Sequence, residues 1–382
     1  MQERCDPLEK CLNAAPAGLA QPGTDDGKES CPITMVAETY EFIVGVDTHS
    51  RTHTYALMAA RTGAIEDTQT FPASDSGINR AAAWIQRAGG PERSVIVAIE
   101  GTGSYGAALT RALTSNGLHV VEARPPRRGS RGTRGKSDAI DAIAAARATH
   151  ALDTAQLVRP RAEGTREALT VLLAARRRLD TARTVNRNAL NALVRTTDLG
   201  LDARRALTDA QIELIAAWRP RVADPIQVSV ARNEARRLAR EILTSTASLK
   251  ENKALLGELV QQLAPGLQNE AGVGPVTAAL VLAAYSHHGR VRSEAAFAAL
   301  AGACPIPASS GNTTRHRLNR NGDRQLNRAL DVIARTRLTF DPRTRAYAER
   351  RTSEGMNRRE IQRCLKRYVA RQLYRRLQTI MA

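Results

Sequence analysis

Two aspartates, Asp138 and Asp141, stand three residues apart in the segment GKSDAIDAIAAARATHA, Gly135–Ala151. At this spacing two side chains lie on one face of a helix, so both carboxylates can face one metal ion. Mg²⁺ prefers hard oxygen ligands and keeps several waters, so a few carboxylates from different elements are enough to bind it. The alternative is that Ser137 or Asp138 only caps the helix and favours its positive end.

The segment immediately before this aspartate pair is strongly basic. RPPRRGSRGTRGK, Arg124–Lys136, contains six basic residues and no acid, within a chain whose formal net charge is +18. Neutralisation of phosphates by Arg and Lys dominates the affinity of proteins for nucleic acids, so nucleic acid is the first candidate partner. The residues of this segment that we expect to bind it are Arg127, Arg128, Arg131, Arg134 and Lys136.

Two further acids follow predicted strands. The apolar run Phe42–Val46 ends in Asp47, and the run SVIVAIE ends in Glu100. One such acid is typical of a solvated strand boundary, but two of them followed by the aspartate pair favour convergence at one edge of a sheet. Two ions about 3.5–4 Å apart at such a site clamp the attacking and leaving oxygens of an in-line displacement. His49, two residues after Asp47, would face the same side as Asp47 if the strand continued, but the favoured interpretation is a polar residue at the strand boundary.

The elements that position these acids alternate between strands and helices. Turn residues and hydrophobic periodicity predict the order β-β-β-α-β-α-β-α, which is typical of a mixed α/β sheet covered by helices. Before the aspartate pair, the predicted strands are Phe42–Val46, Thr52–Ala60, Ala64–Phe71, the run ending at Glu100, and Leu118–Ala123. The predicted helices are Ser76–Ala88 and one from GTGSYG to about Asn116.

From about Ala162 to Gln262 the pattern changes to long helices with leucines at helical spacing. Two such segments joined by the proline-containing AAWRPRVADP predict an antiparallel pair or a coiled-coil arm, with a role in dimerisation or in spanning a distance. The arginines along these helices are interpreted as a solvated face.

The last part of the chain combines an apolar helix, a polar loop and basic helices. The turn Gly272-Val-Gly-Pro opens an alanine-rich helix and is similar to the hairpin of a helix-hairpin-helix, where backbone N–H groups meet a phosphate; an ordinary turn before a buried helix is the alternative. The loop contains Ser309-Ser310-Gly311, and basic residues follow it. Those expected to bind nucleic acid are Arg315, Arg317, Arg320 and Arg324. The C-terminal basic amphipathic helix is predicted to lie on nucleic acid or to cap its domain.

Three motifs, GVDTHS, AIEGTGSYG and RGKSDAIDA, resemble in this order the DEDD transposases of the IS110 type, whose N-terminal domain is similar to RuvC and RNase H. AGVGPVTAALVLA and LAGACPIPASSGNTTRHRLNRNGDRQLNRAL resemble the C-terminal transposase domain of that family. The resemblance covers about Glu41 to Leu377. Residues 1–38, rich in Pro, Gly, Asp and small polar residues, lie outside it and are expected to be a disordered tail or an over-called start. The remaining domains are expected to be an α/β RuvC- or RNase H-like domain with a mixed sheet (39–160), a helical coiled-coil-like arm (161–265) and a mostly α C-terminal transposase domain (266–382).

The resemblance also implies roles for individual residues and for partners. Four acids would coordinate Mg²⁺, with Mn²⁺ as the alternative ion: Asp47, Glu100, Asp138 and Asp141. A serine of the C-terminal loop would attack DNA and form a covalent phosphoserine. The family's serine precedes a glycine, which indicates Ser310, with Ser309 as the other choice. The implied partners are double-stranded donor and target DNA, an element-encoded guide RNA, and further copies of the chain in a homodimer or homotetramer.

Two other functions fit the same residues. A metal nuclease that resembles a Holliday-junction resolvase would use the four acids but hydrolyse DNA with water. A non-catalytic nucleic-acid-binding protein would use the basic helices, with the carboxylates as caps. No segment approaches 18 uninterrupted apolar residues, and five cysteines without CxxC spacing fit a reducing compartment. We therefore expect a cytoplasmic, nucleoid-associated prokaryotic protein without a membrane contact.

Overall fold

The computed structural model describes residues 34–89, 94–123, 137–161, 164–202, 204–307, 316–317, 319 and 322–382. These residues fall into two compact units, one ending at Arg161 and one containing the described residues from 164 onward. The further division of the second unit into an arm and a C-terminal domain stays a prediction.

A five-stranded mixed sheet forms the centre of the first unit. Its strands are β1 Phe42–Thr48, β2 Thr52–Ala59, β3 Ile65–Pro72, β4 Val95–Ile99 and β5 His119–Glu122. Their spatial order is β3-β2-β1-β4-β5, with β1 antiparallel to β2 and parallel to β4, and with β4 parallel to β5. All seven residues of β1 are buried, as expected for a central strand with both faces covered. The predicted mixed sheet is confirmed.

Helices cover both faces of this sheet. They are α1 Val36–Thr39, α2 Asp75–Gly89, α3 Ala107–Ser115 and α4 Asp138–His150. The core on one face contains apolar residues of α2 and α3, and the core on the other contains Ala145 and Ala146 of α4. The predicted order of strands and helices is therefore confirmed, although α3 begins later than the GTGSYG motif because Gly101 takes a φ of 69° in a turn.

Residues 34–38 of the predicted tail pack on the first unit. Val36 is fully buried in the same core as Ile43, and Met35 forms a β-bridge with Asp153. The Val36 N–H donates to the carbonyl oxygen of Leu152 at 3.0 Å. An apolar side chain and backbone bonds thus hold this short segment in place, while residues 1–33 lie outside the described residues.

Two long helices, α5 Thr165–Thr196 and α7 Ile226–Leu263, pack along each other in the second unit. Arg176 donates to the carbonyl oxygen of Leu249 at 2.9 Å, and Asn252 donates to that of Leu172 at 3.0 Å. Residue numbers rise along one helix as they fall along the other, so the pair is antiparallel. The segment between them contains a short helix that the sequence did not predict, α6 Asp209–Ala216.

The remaining described elements are α8 Pro275–Tyr285, α9 Glu294–Leu300, β6 Ile306–Pro307, β7 His316–Arg317, α10 Arg324–Phe340, α11 Pro342–Ser353 and α12 Arg358–Ile380. Residues of α8, α9, α10 and α12 share a core with both long helices. Tyr347 of α11 packs in a separate cluster with residues of α10 and α12. The apolar face of α12 is buried, and its Arg371 and Arg375 pair with Glu294. The C-terminal helix therefore covers this core, and its contact with nucleic acid stays a prediction. No helix in the described ranges is long and apolar enough to cross a membrane.

Asp224→Asn is expected to destabilise the second unit by about 3–5 kcal/mol, because it leaves the buried Arg232 guanidinium without its carboxylate. The Arg232 Nε lies 2.9 Å from an Asp224 carboxylate oxygen, and the guanidinium stacks 4.7 Å from the Trp218 ring centroid. Urea unfolding followed by circular dichroism measures the change. Asp202→Asn, which breaks the exposed pair with Arg204, is the control and should change stability far less. Equal effects of the two substitutions would contradict the prediction.

Candidate metal centre

Asp47 is the penultimate residue of β1 and is only 7% exposed. In the neighbouring parallel strand β4, Ile99 pairs with Val46, so Glu100 follows directly beside Asp47. The Glu100 N–H donates to the Val46 carbonyl at 3.1 Å, and the Thr48 hydroxyl donates to the Glu100 carbonyl at 2.8 Å. These bonds hold the ends of both central strands together, which places both acids at the same edge of the sheet.

The aspartate pair lies in the first turn of α4. Ser137 is the N-cap, and its hydroxyl accepts a hydrogen bond from the Ile140 N–H at 3.4 Å. The cap is therefore the serine, which leaves the carboxylates of Asp138 and Asp141 free for other roles. The helix dipole makes this end of α4 attractive to negative charge.

A close approach between α4 and β1 brings the pair to Asp47. A Cβ added at Gly45, in the middle of β1, would lie 2.5 Å from the backbone nitrogen of Ala146 and 2.9 Å from its Cβ. It would also overlap the carbonyl oxygen of Ala142. Helix and strand backbones are therefore in direct contact, which only glycine on the strand and small residues on the helix allow.

His49 lies between two of the acids. Its Nε2 is 3.0 Å from a carboxylate oxygen of Asp47 and 3.3 Å from one of Asp138. One potential ligand atom from each of these residues lies within 4.8 Å of the other two. The favoured sequence interpretation of His49, a polar residue at the strand boundary, missed its position beside Asp138. Its spacing of two from Asp47 along an extended chain was the available signal.

Burial raises the pKa of the Asp47 carboxyl, and the nearby Asp138 and Asp141 carboxylates raise it further. The charge and the hydrogen bond of His49 oppose this shift without cancelling it. A buried carboxylate among like charges either takes up a proton or is stabilised by a cation. Carboxylate oxygens with an imidazole nitrogen are a donor set that fits a divalent metal ion.

The other predicted site residues are placed less closely or lie outside the described residues. The close group of donor atoms found in the described ranges contains neither Glu100 nor Asp141, although both are at the same edge of the sheet. Arg317 lies in β7 and the exposed Arg324 begins α10. Outside the described residues lie Arg127, Arg128, Arg131, Arg134, Lys136, Ser309, Ser310, Arg315 and Arg320.

A mixed sheet with acids at the ends of the neighbouring strands β1 and β4 and at the start of α4 defines a RuvC-like α/β domain. In the chain this domain is followed by a helical unit. Residues 44–197 match the transposase family model DEDD_Tnp_IS110, and residues 266–349 match the model for the transposase IS116/IS110/IS902 family. The two matches together span more than half of the chain. The chain belongs to the IS110 family of transposases, which are enzymes that act on DNA. Among curated proteins no match was found.

Proposed function

We propose that this transposase cleaves and exchanges DNA strands by metal-dependent phosphoryl transfer through a serine–DNA intermediate. Four acids would be the metal ligands: Asp47, Glu100, Asp138 and Asp141. The convergence of Asp47 and Asp138, from a strand and a distant helix, within one group of donor atoms is the observation that supports the metal part. The serine part rests on the resemblance of the Ser309-Ser310-Gly311 loop to that of the family.

The chain's own groups have distinct tasks in this proposal. Mg²⁺, or Mn²⁺ in its place, supplies Lewis-acid stabilisation of charge on the scissile phosphate when bound. Asp47 holds its ligand oxygen rigidly because the carboxyl is buried in β1. Asp138 and Asp141 present their carboxylates from the first turn of α4, and Glu100 does so from the end of β4.

The covalent step transfers one phosphoryl group and replaces one phosphoester bond with another, so the energy of that bond is conserved. The Ser310 Oγ attacks the scissile phosphorus and loses its proton to water. The bond from phosphorus to one deoxyribose oxygen breaks, and that oxygen takes up a proton from water. A phosphoserine ester and a free deoxyribose hydroxyl result. Attack of a hydroxyl from another strand end on this ester restores a phosphodiester and the serine, so exchange needs no nucleotide cofactor. Because a serine hydroxyl is a weak nucleophile, it requires activation at the site.

The proposed partners follow from charge and from the family. A formal net charge of +18 supports binding of long polyanions, which we assign to double-stranded donor and target DNA. A guide RNA encoded by the element, and assembly as a homodimer or homotetramer, are proposed from the family resemblance alone.

A trapping assay tests the proposed chemistry. Purified full-length protein is mixed with labelled element-junction DNA, Mg²⁺ and total cellular RNA, denatured, and separated on a gel. Wild type should give a covalent protein–DNA band, which both Asp141→Asn and Ser310→Ala should lose. Ser309→Ala, at the adjacent hydroxyl, is the matched control and should retain the band.

Two other outcomes would replace the proposal. Cleavage without a covalent band that survives Ser310→Ala would identify a metal nuclease that uses water. Binding without cleavage, unaffected by Asp141→Asn and by removal of divalent ions, would identify an architectural nucleic-acid-binding protein. Loss of the band in Ser309→Ala and not in Ser310→Ala would assign the nucleophile to Ser309.

A further inference from the structure

His49 differs from the four acids in chemistry and in position. It follows the end of β1, where its side chain remains 45% exposed, while its Nε2 faces the carboxylates of Asp47 and Asp138. An imidazole has at most one N–H at Nε2, and it can point at one of the two carboxylates but not fully at both. One hydrogen bond therefore does not explain why this nitrogen lies close to both carboxylates.

The distances match those between ligand atoms that share a metal ion. With metal–ligand bonds of about 2.0–2.2 Å, neighbouring donor atoms lie about 2.8–3.6 Å apart in octahedral or tetrahedral coordination. The Nε2 of His49 lies 3.0 Å from the Asp47 oxygen and 3.3 Å from the Asp138 oxygen, so both pairs fall in this range. The two carboxylate oxygens also lie within 4.8 Å of each other, so small side-chain adjustments are enough for one ion to bind all three atoms.

We propose that His49 is itself a protein ligand of the metal ion bound by Asp47 and Asp138, and that it gives this position a preference for transition metals. The inference rests on the proposed metal-dependent function and adds a nitrogen donor to the carboxylate set. Imidazole suits ions such as Co²⁺ and Zn²⁺, whereas Mg²⁺ is bound mainly by oxygen atoms. The site should therefore bind Co²⁺ much more tightly than Mg²⁺, and its nitrogen ligand should be detectable in a Mn²⁺-loaded protein.

Metal titration of the full-length protein tests this inference without any DNA. Co²⁺ binding is followed by visible absorption and Mg²⁺ binding by calorimetry. His49→Ala should weaken Co²⁺ binding at least about tenfold, a loss that even supporting residues of metal sites commonly cause. Its effect on Mg²⁺ binding should be much smaller. Added imidazole should restore much of the Co²⁺ affinity, because it can occupy the space that the side chain left.

A spectroscopic measurement detects the nitrogen ligand directly. Electron spin echo modulation of the Mn²⁺-loaded protein should show a coupled ¹⁴N nucleus, which His49→Ala abolishes. His119→Ala is the matched control, because His119 belongs to the same sheet but not to the group of donor atoms. This control should retain both the nitrogen coupling and the Co²⁺ affinity.

The failures of the two proposals are distinguishable. If wild type binds divalent ions, Asp47→Asn abolishes binding, and His49→Ala changes neither Co²⁺ affinity nor the ¹⁴N coupling, the ligand role of His49 is wrong and the metal centre stands. If wild type binds no divalent ion, or if Asp47→Asn has no effect on binding, the metal-dependent function itself is wrong.

Discussion

Asp47→Asn is expected to reduce DNA cleavage by at least about 10³-fold, the scale of loss when a principal electrostatic stabiliser of a transition state is removed. An amide carries no charge and is a weaker ligand than a carboxylate, so the proposed metal centre would lose its buried ligand. The same substitution should raise the thermal stability of the metal-free protein. Function and stability thus change in opposite directions at this residue.

The sign of the stability change follows from the pKa of Asp47. Burial and the neighbouring carboxylates raise this pKa above the ordinary value of 3.8 in the folded state. With a raised pKa, ionisation of the carboxyl disfavours folding: the cost grows as the pH rises from 3.8 and is complete above the folded-state pKa. Asparagine removes this cost at neutral pH. The gain should vanish as the pH falls below 3.8, where the carboxyl is protonated in both the folded and the unfolded chain.

Thermal unfolding in the presence of a chelator measures this effect at several pH values. Each kcal/mol of relief should raise Tm by about 4 °C for a unit of this size. Saturating Mg²⁺ should stabilise wild type and not Asp47→Asn, because only the ligated state gains from binding. Asp75→Asn, at an exposed helix start in the same unit, is the control and should affect neither cleavage nor the response to Mg²⁺. A lower metal-free Tm for Asp47→Asn would contradict the argument.

Much of the first unit could be predicted because its central strands have a strong local pattern. Runs such as Phe42–Val46 are apolar on both faces, and such runs are typical of strands covered by helices on both sides. Asp47 and Glu100 interrupt these runs at their ends, so their position at one sheet edge followed from strand order. The spacing of Asp138 and Asp141 placed both on one helical face.

The missed features depend on contacts between distant parts of the chain. The position of His49 beside Asp138 requires the packing of α4 on β1, which residue types near His49 do not indicate. The late start of α3 depends on the turn conformation of Gly101. The short helix α6 is stabilised by a reciprocal cap between Thr208 and Gln211. A threonine followed three residues later by a glutamine is the sequence pattern that indicates such a helix start.

Gly45→Ala is expected to impair the proposed metal centre without changing any of its proposed ligand residues. A Cβ at this position would overlap the backbone of α4 at Ala142 and Ala146, and backbone atoms cannot move independently of their helix. The added methyl group must push α4 away from β1, with a cost of about 1–3 kcal/mol or more. Because Asp138 is carried by α4 and Asp47 by β1, their carboxylates would separate. Metal affinity should therefore fall sharply, measured by calorimetry alongside the change in Tm.

Two further variants separate this explanation from general destabilisation. Gly103→Ala, where an added Cβ meets nothing within 4 Å, should leave Tm nearly unchanged. Adding Ala146→Gly to Gly45→Ala removes only the side-chain part of the overlap, since the carbonyl of Ala142 stays in place. The double variant should therefore regain little metal affinity. Full recovery would mean that a side-chain contact, and not the backbone approach of helix and strand, sets the distance between the two ligand-bearing elements.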